Sequence, residues 1–122
     1  MATIEERRIA IQRAQQFQLS LRGAFPSFVK PMVPSQVSGG FWLGLPHKFC
    51  KDHLPHHDAT ITLVDFQGVE YHTIYISTKE GLSGGWRAFS LGHNLIHGDA
   101  CVFKLTGPTV FRVYIFKAIR DD

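Results

Sequence analysis

The sequence predicts one mostly β domain, an antiparallel barrel or sandwich with helices only at its margins and a helical prefix. Three observations carry this. Six or more short runs of β-forming residues are separated by Gly, Pro and Asp turn signals. Ten phenylalanines in 122 residues suit the narrow interior of a small barrel. Helical spacing of apolar residues dominates only the first 25 residues.

The elements follow in order. Thr3-Ile4-Glu5-Glu6 reads as a capping box, with Thr3 as N-cap and Glu6 reaching back to it. Ala10, Ala14, Phe17 and Leu21 continue at helical spacing, and Gly23 and Pro26 end the helix. Residues 1–25 are therefore an N-terminal helical extension carrying four basic and two acidic residues. Packing on the domain is the expected use of its apolar stripe. A free helix that binds a protein partner is the alternative.

Residues 26–120 form the barrel. Residues 27–33 are an apolar run ended by Pro34, and 41–45 a second run ended by Pro46, after which a short helix fits. Residues 60–64 and 69–77 flank Asp65-Phe66-Gln67-Gly68 as a hairpin, and 101–105 and 110–116 flank Thr106-Gly107-Pro108 as another. In the last run Phe111, Val113 and Ile115 face one way, Arg112 and Tyr114 the other. Residues 87–94 fit one or two helical turns.

Composition narrows the function. The net charge of +3 permits a polyanionic partner without demanding one. No run of about 18 apolar residues exists to span a membrane. Two cysteines, Cys50 and Cys101, are too few for a disulfide framework and point to a reducing compartment.

His47, Cys50, His53 and His56 recur every third residue, with His57 alongside, and all are zinc-ligand types. Yet residues three apart drift around a helix, so the first and fourth diverge, and Leu54-Pro55 would end the helix before His56. A solvent-facing helix end with a buried cysteine is the plainer reading, and no metal or other cofactor is expected. Catalysis lacks its parts too. No activating turn presents Cys50, no lysine-bearing phosphate loop occurs, and Asp65 and Glu70 merely flank a hairpin. Neither an enzyme nor a small-molecule substrate is expected.

Two polar, glycine-bearing loops stand out instead. The first, residues 34–40, follows Lys30; the second spans residues 77–87. Hydroxyls and glycines bring backbone N–H groups close to phosphate oxygens, contacts that set position rather than sequence preference. Gln36 carries an amide able to pair in bidentate fashion with an adenine edge, and Lys30, Lys79 and Arg87 supply charge. Both loops are equally readable as mobile connections.

Phe28-Val29-Lys30, Pro34-Ser35-Gln36-Val37 and Phe41-Trp42-Leu43-Gly44-Leu45-Pro46 resemble the opening of the plant B3 DNA-binding domain. Gly84-Gly85-Trp86-Arg87-Ala88-Phe89 and Leu95-Ile96-His97-Gly98-Asp99-Ala100-Cys101-Val102-Phe103 resemble its closing segment. The likeness covers roughly residues 26–117 and is nearest to the reproductive-meristem branch of plant transcription factors. It implies a mostly β fold, a seven-stranded open barrel with two short helices, whose two arms clasp the major groove of double-stranded DNA in the nucleus. Carried over by position, the first arm is Lys30 with Ser35, Gln36, Val37, Ser38 and Gly39. The second runs from Thr78 and Lys79 through Ser83 and Gly84 to Trp86, with Trp86 packing at its base and Arg87 available for a phosphate.

The departures from the family pattern predict weak or loosely specific binding. Gly39 and Trp42 stand where many members carry lysine and arginine, and Gln36 where many carry aspartate. From Pro26 onward nine basic residues oppose eight acidic ones. A protein-interaction module on the same barrel, using the N-terminal helix, is the alternative function.

Overall fold

The computed structural model describes residues 1–21 and 23–120. Helix α1 (Ile4–Ser20) starts at the predicted capping box, and both of its reciprocal bonds form, Glu6 N–H to Thr3 Oγ1 at 3.0 Å and Thr3 N–H to Glu6 Oε1 at 2.8 Å. Seven strands follow: β1 (Ser27–Pro31), β2 (Leu43–Gly44), β3 (Ala59–Val64), β4 (Glu70–Ile76), β5 (Gly81–Leu82), β6 (Ala100–Gly107) and β7 (Val110–Phe116). They make one sheet in the order β1-β6-β7-β3-β4-β5-β2. All neighbours are antiparallel except β3 and β7. Strands β1 and β2 stand at opposite ends of that order, so the curled sheet is an open barrel.

The interior is aromatic. Phe28 stacks on Phe103 at 5.1 Å between centroids, and Phe49 meets Phe28 edge-on at 4.8 Å. Trp86, Phe89, Phe111 and Val113 belong to the same buried cluster, with Ile115 packed against it. The alternation in β7 holds as expected, because Tyr114 and Phe116 face outward. There they meet α1. Ala10 and Ala14 lie flush on Ala100 and Val102 of β6, and Phe17 packs against Tyr114 at 4.6 Å and Phe116 at 5.5 Å. Small residues on both partners let the helix approach closely, so its apolar stripe is spent on the barrel's outer wall.

The helices differ from expectation. Two short ones were expected after the prefix, and α3 (His47–His53) and α4 (Trp86–Gly92) occupy those places. A third, α2 (Pro34–Val37), makes a helical turn inside what reads as a polar loop, because Pro34 presets the first helical φ. Strand extents also shift. Residues 32–33 leave β1, since Met32 N–H donates to Asp99 C=O and Val33 N–H to Gln36 Oε1. Only Leu43–Gly44 of the run 41–45 is strand, and Phe41 takes a left-handed φ of 48°. Strand β5 lies within the second glycine-bearing loop, too short to show as a pattern.

The histidine- and cysteine-bearing segment does not converge. His53 packs on Phe49, and His56 Nε2 meets the Lys51 carbonyl oxygen. Among the described residues no three His, Cys, Asp or Glu side chains form a metal-sized cluster. Cys50 and Cys101 are both buried free thiols, and burial pushes each above its ordinary range. No helix among the described residues is long and apolar enough to cross a membrane.

Candidate nucleic-acid interface

The two segments singled out above lie side by side. The first arm leaves β1, forms α2 and returns to β2. The second is the β4–β5 hairpin, tipped by Ser77-Thr78-Lys79-Glu80, with its root at Ser83–Trp86. Between them is a notch of about 330 Å³ whose walls include Gly39 and Phe41 on one side and Ser83, Gly84 and Arg87 on the other.

Three contacts fix the arms to each other. Trp86 is fully buried at the start of α4, and its Nε1–H donates to the Gln36 carbonyl oxygen at 2.7 Å. The Trp42 indole covers Gly81 so closely that a Cβ there would overlap the ring, so only glycine fits. The Arg87 guanidinium lies 5.4 Å over the Phe41 ring, a cation–π contact that aims the charge across the notch. The turn into α4 needs glycine as well. Gly85 has φ 90°, and a Cβ there would collide with the His72 carbonyl oxygen.

The expected contact residues do not all lie in one place. Gly39, Ser83, Gly84 and Arg87 meet at the notch, and Ser35 and Ser38 are exposed on the first arm. Thr78 and Lys79 are exposed at the tip of the second arm, beside α3 rather than the notch. Lys30 stays on β1 opposite Cys101, two residues beyond the buried Phe28 on the same strand face. It is half-buried, and desolvation pushes its ammonium below the ordinary lysine range.

Gln36 and Val37 depart from expectation. Both are buried, at 7% and 8% exposure. Gln36 Oε1 accepts from Val33 N–H at 3.0 Å, closing the first turn of α2, so the amide cannot offer both its groups to an adenine edge. Val37 packs in the barrel core, because the helical turn rotates it inward. Their place is under the arm, not on its surface. Ser38 also binds inward, its Oγ donating to the Pro34 carbonyl at 2.9 Å, which steadies the turn while leaving the residue exposed.

Sequence reasoning missed Phe41 and Trp42 as walls of the notch. The signal was available, since two aromatics bracketed by Gly39-Gly40 and Gly44 cannot both serve a short strand's interior. It also missed Glu80, which holds a left-handed φ of 52° and accepts from His47 Nδ1 at 2.8 and 2.9 Å.

A curled, open seven-stranded sheet that fixes two glycine-bearing arms along one notch defines a class: small open barrels that present a pair of loops. A model of the B3 DNA binding domain matches residues 28–119, and the chain belongs to that family. The chain is 58% identical over 106 residues to the B3 domain-containing protein At5g42700 of Arabidopsis thaliana, covering 87% of this chain and 50% of the relative. It is 49% identical over 120 residues to the B3 domain-containing protein Os03g0184500 of Oryza sativa subsp. japonica, covering 98% and 51%. The chain thus spans about half the length of these relatives. Among solved structures, the hypothetical Arabidopsis thaliana protein At1g16640.1 aligns with a TM-score of 0.64 and 24% identity, covering 79% of this chain and 94% of that one. The Arabidopsis FUS3-DNA complex aligns at 0.57 and 23%, covering 79% and 100%. Both likenesses are of fold. The family is a DNA-binding one, not an enzyme family.

Proposed function

We propose that this chain is the DNA-binding module of a plant transcription factor, and that its two arms enter the major groove of double-stranded DNA. The pinning of the arms to each other by the Trp86–Gln36 bond is the observation that carries this reading. A rigid pair of loops meets a duplex without first ordering itself, so little binding energy is lost to entropy. In this reading Lys30, Lys79 and Arg87 neutralise phosphates. Ser38 and Thr78 reach base edges. Ser35, Gly39, Ser83 and Gly84 bring backbone close to the groove, while Gln36 and Val37 support the first arm from beneath. The FUS3 structure, a complex with DNA, supports the same partner for this fold.

A nuclear location follows from a chromosomal target. Placement in the reproductive-meristem branch rests on the motif likeness alone, and target preferences shared with that branch would bear it out. The protein-interaction alternative must use the solvent-facing side of α1, where Ile4 and Leu19 are exposed, because the apolar stripe is occupied by the barrel.

Salt separates the two readings. A groove binder that neutralises about three to five phosphates has a log–log salt slope of roughly −3 to −4.5, whereas an apolar interface barely responds. Selection from random duplexes, followed by titration at several salt concentrations, is the test. A flat response, or no shift at micromolar protein, would overturn the DNA reading.

A further inference from the structure

At the tip of the second arm an acid sits beside the cation that faces DNA. Glu80 follows Lys79, and its carboxylate is turned toward His47 at the start of α3, with both oxygens within 2.9 Å of Nδ1. Its backbone is held in the left-handed region, φ 52°, where glycine is the ordinary occupant, and its carbonyl accepts from Leu45 N–H at 2.8 Å. A non-glycine residue kept in that region points to a side chain with a use.

From this geometry we infer that Glu80 and His47 together set the DNA affinity of the second arm, an inference that rests on the DNA-binding reading. The ionised carboxylate subtracts from the attraction that Lys79 exerts on phosphates. His47 covers it. Because Nδ1 faces the carboxylate it carries the hydrogen of that bond, leaving Nε2 as the site for a second proton. The His47 side chain is 78% exposed, so that proton exchanges with solvent while the contact persists. The pair is therefore anionic when the ring is neutral and uncharged overall when the ring is protonated. A proton taken up by the ring therefore strengthens the arm's attraction for phosphates, so acidification raises DNA affinity through this pair.

Other ionisable groups stand around the pair. Lys51 and His56 of the α3 segment, Cys50, Tyr75, Ser77 and Thr78 line the same cleft. Cys50 and Tyr75 are both pushed up, chiefly by burial, and stay neutral near pH 7. Asp58 is held by the Ser77 N–H at 2.9 Å and by its hydroxyl at 3.1 Å. His56 is present in both the wild type and any His47 variant, so comparing the two isolates His47.

The test measures duplex affinity by fluorescence anisotropy for the wild type, Glu80→Gln, His47→Gln and the double variant, at pH 7.8 and 6.0 and constant ionic strength. Glutamine keeps an oxygen for His47 Nδ1 and removes only the charge. At pH 7.8 Glu80→Gln is expected to bind roughly three- to tenfold tighter, the scale of one charge removed near a phosphate. The wild type is expected to gain more affinity between pH 7.8 and 6.0 than His47→Gln does. Glu80→Gly, which removes the charge and relieves the backbone, should also tighten binding at pH 7.8. If Glu80→Gln and Glu80→Gly bind no tighter than wild type, or if wild type and His47→Gln share one pH profile, the inference is overturned while the DNA reading stands. Absence of binding by all the proteins at low salt overturns both.

Discussion

Trp86 Nε1–H is bonded to the main-chain carbonyl of Gln36 across fifty residues of sequence, in a buried position. The bond ties the root of one arm to the helical turn of the other. It converts two loops into a single body.

Replacing Trp86 with Phe is therefore expected to cost more than lost volume. The Gln36 carbonyl would be left without a donor, and the combined loss is about 2–4 kcal/mol of stability. Chemical denaturation measures this. Duplex affinity should fall as well at temperatures where the variant remains folded, because the first arm loses its tether. A variant with wild-type affinity would show that the arms are placed by something else.

The two left-handed glycines of the arms should respond differently. At Gly85 (φ 90°) an added Cβ meets the His72 carbonyl, whereas at Gly39 (φ 68°) nothing lies within 4 Å. Gly39→Ala is expected to cost about 1–2 kcal/mol, the strain of a left-handed alanine. Gly85→Ala adds a backbone collision and should cost about 2–4 kcal/mol. Urea midpoints for the two variants give the comparison, and equal losses would contradict it.

Lys79 and Arg87 are exposed, and neither is ion-paired among the described residues. Replacing either with Ala should weaken binding to all duplexes alike and flatten the log–log salt slope by about 0.9 for each phosphate no longer neutralised. Lys30→Ala should behave similarly but with some loss of stability, since its stem is half-buried. A change in preferred sequence with an unchanged slope would reassign these residues to base reading.

Asp65 gives the fold an acid limit. Burial opposes ionisation of its carboxyl, but the Val69 N–H, His93 and the Gln67 N–H outweigh burial and hold it below the ordinary aspartate range. A lowered folded pKa means that the stabilisation is complete above the unfolded value, near 4, and fades as pH falls through the folded one. Wild type should thus lose more stability than Asp65→Asn between about pH 5 and pH 2.5. At pH 7 the variant should already be weaker by about 1.5–3 kcal/mol, a charged hydrogen bond's worth. Parallel acid profiles would remove Asp65 from this role.

Much of the frame was written in local patterns. Thr3 and Glu6 are three residues apart and need nothing else to cap α1. Asp65-Phe66-Gln67-Gly68 closes its hairpin through its own side chain and a left-handed Gly68. Phe111, Val113 and Ile115 share a face because a strand has period two, whatever it packs against. The arms themselves were visible as glycine and hydroxyl clusters.

What could not be read was which way the arm residues turn. Gln36 is polar and lies among serines, yet a proline-started turn and a tryptophan fifty residues away draw it inward. Strand β5 is two residues long and exists because β4 and β2 hold it on either side. Trp42 lies on Gly81 and Glu80 faces His47, pairings between segments that no local spacing encodes. Sequence alone determined the period of each element and where the chain must turn, because those depend on neighbours along the backbone. Tertiary structure decided which polar side chains face solvent, because that depends on which distant groups need a partner once water is excluded.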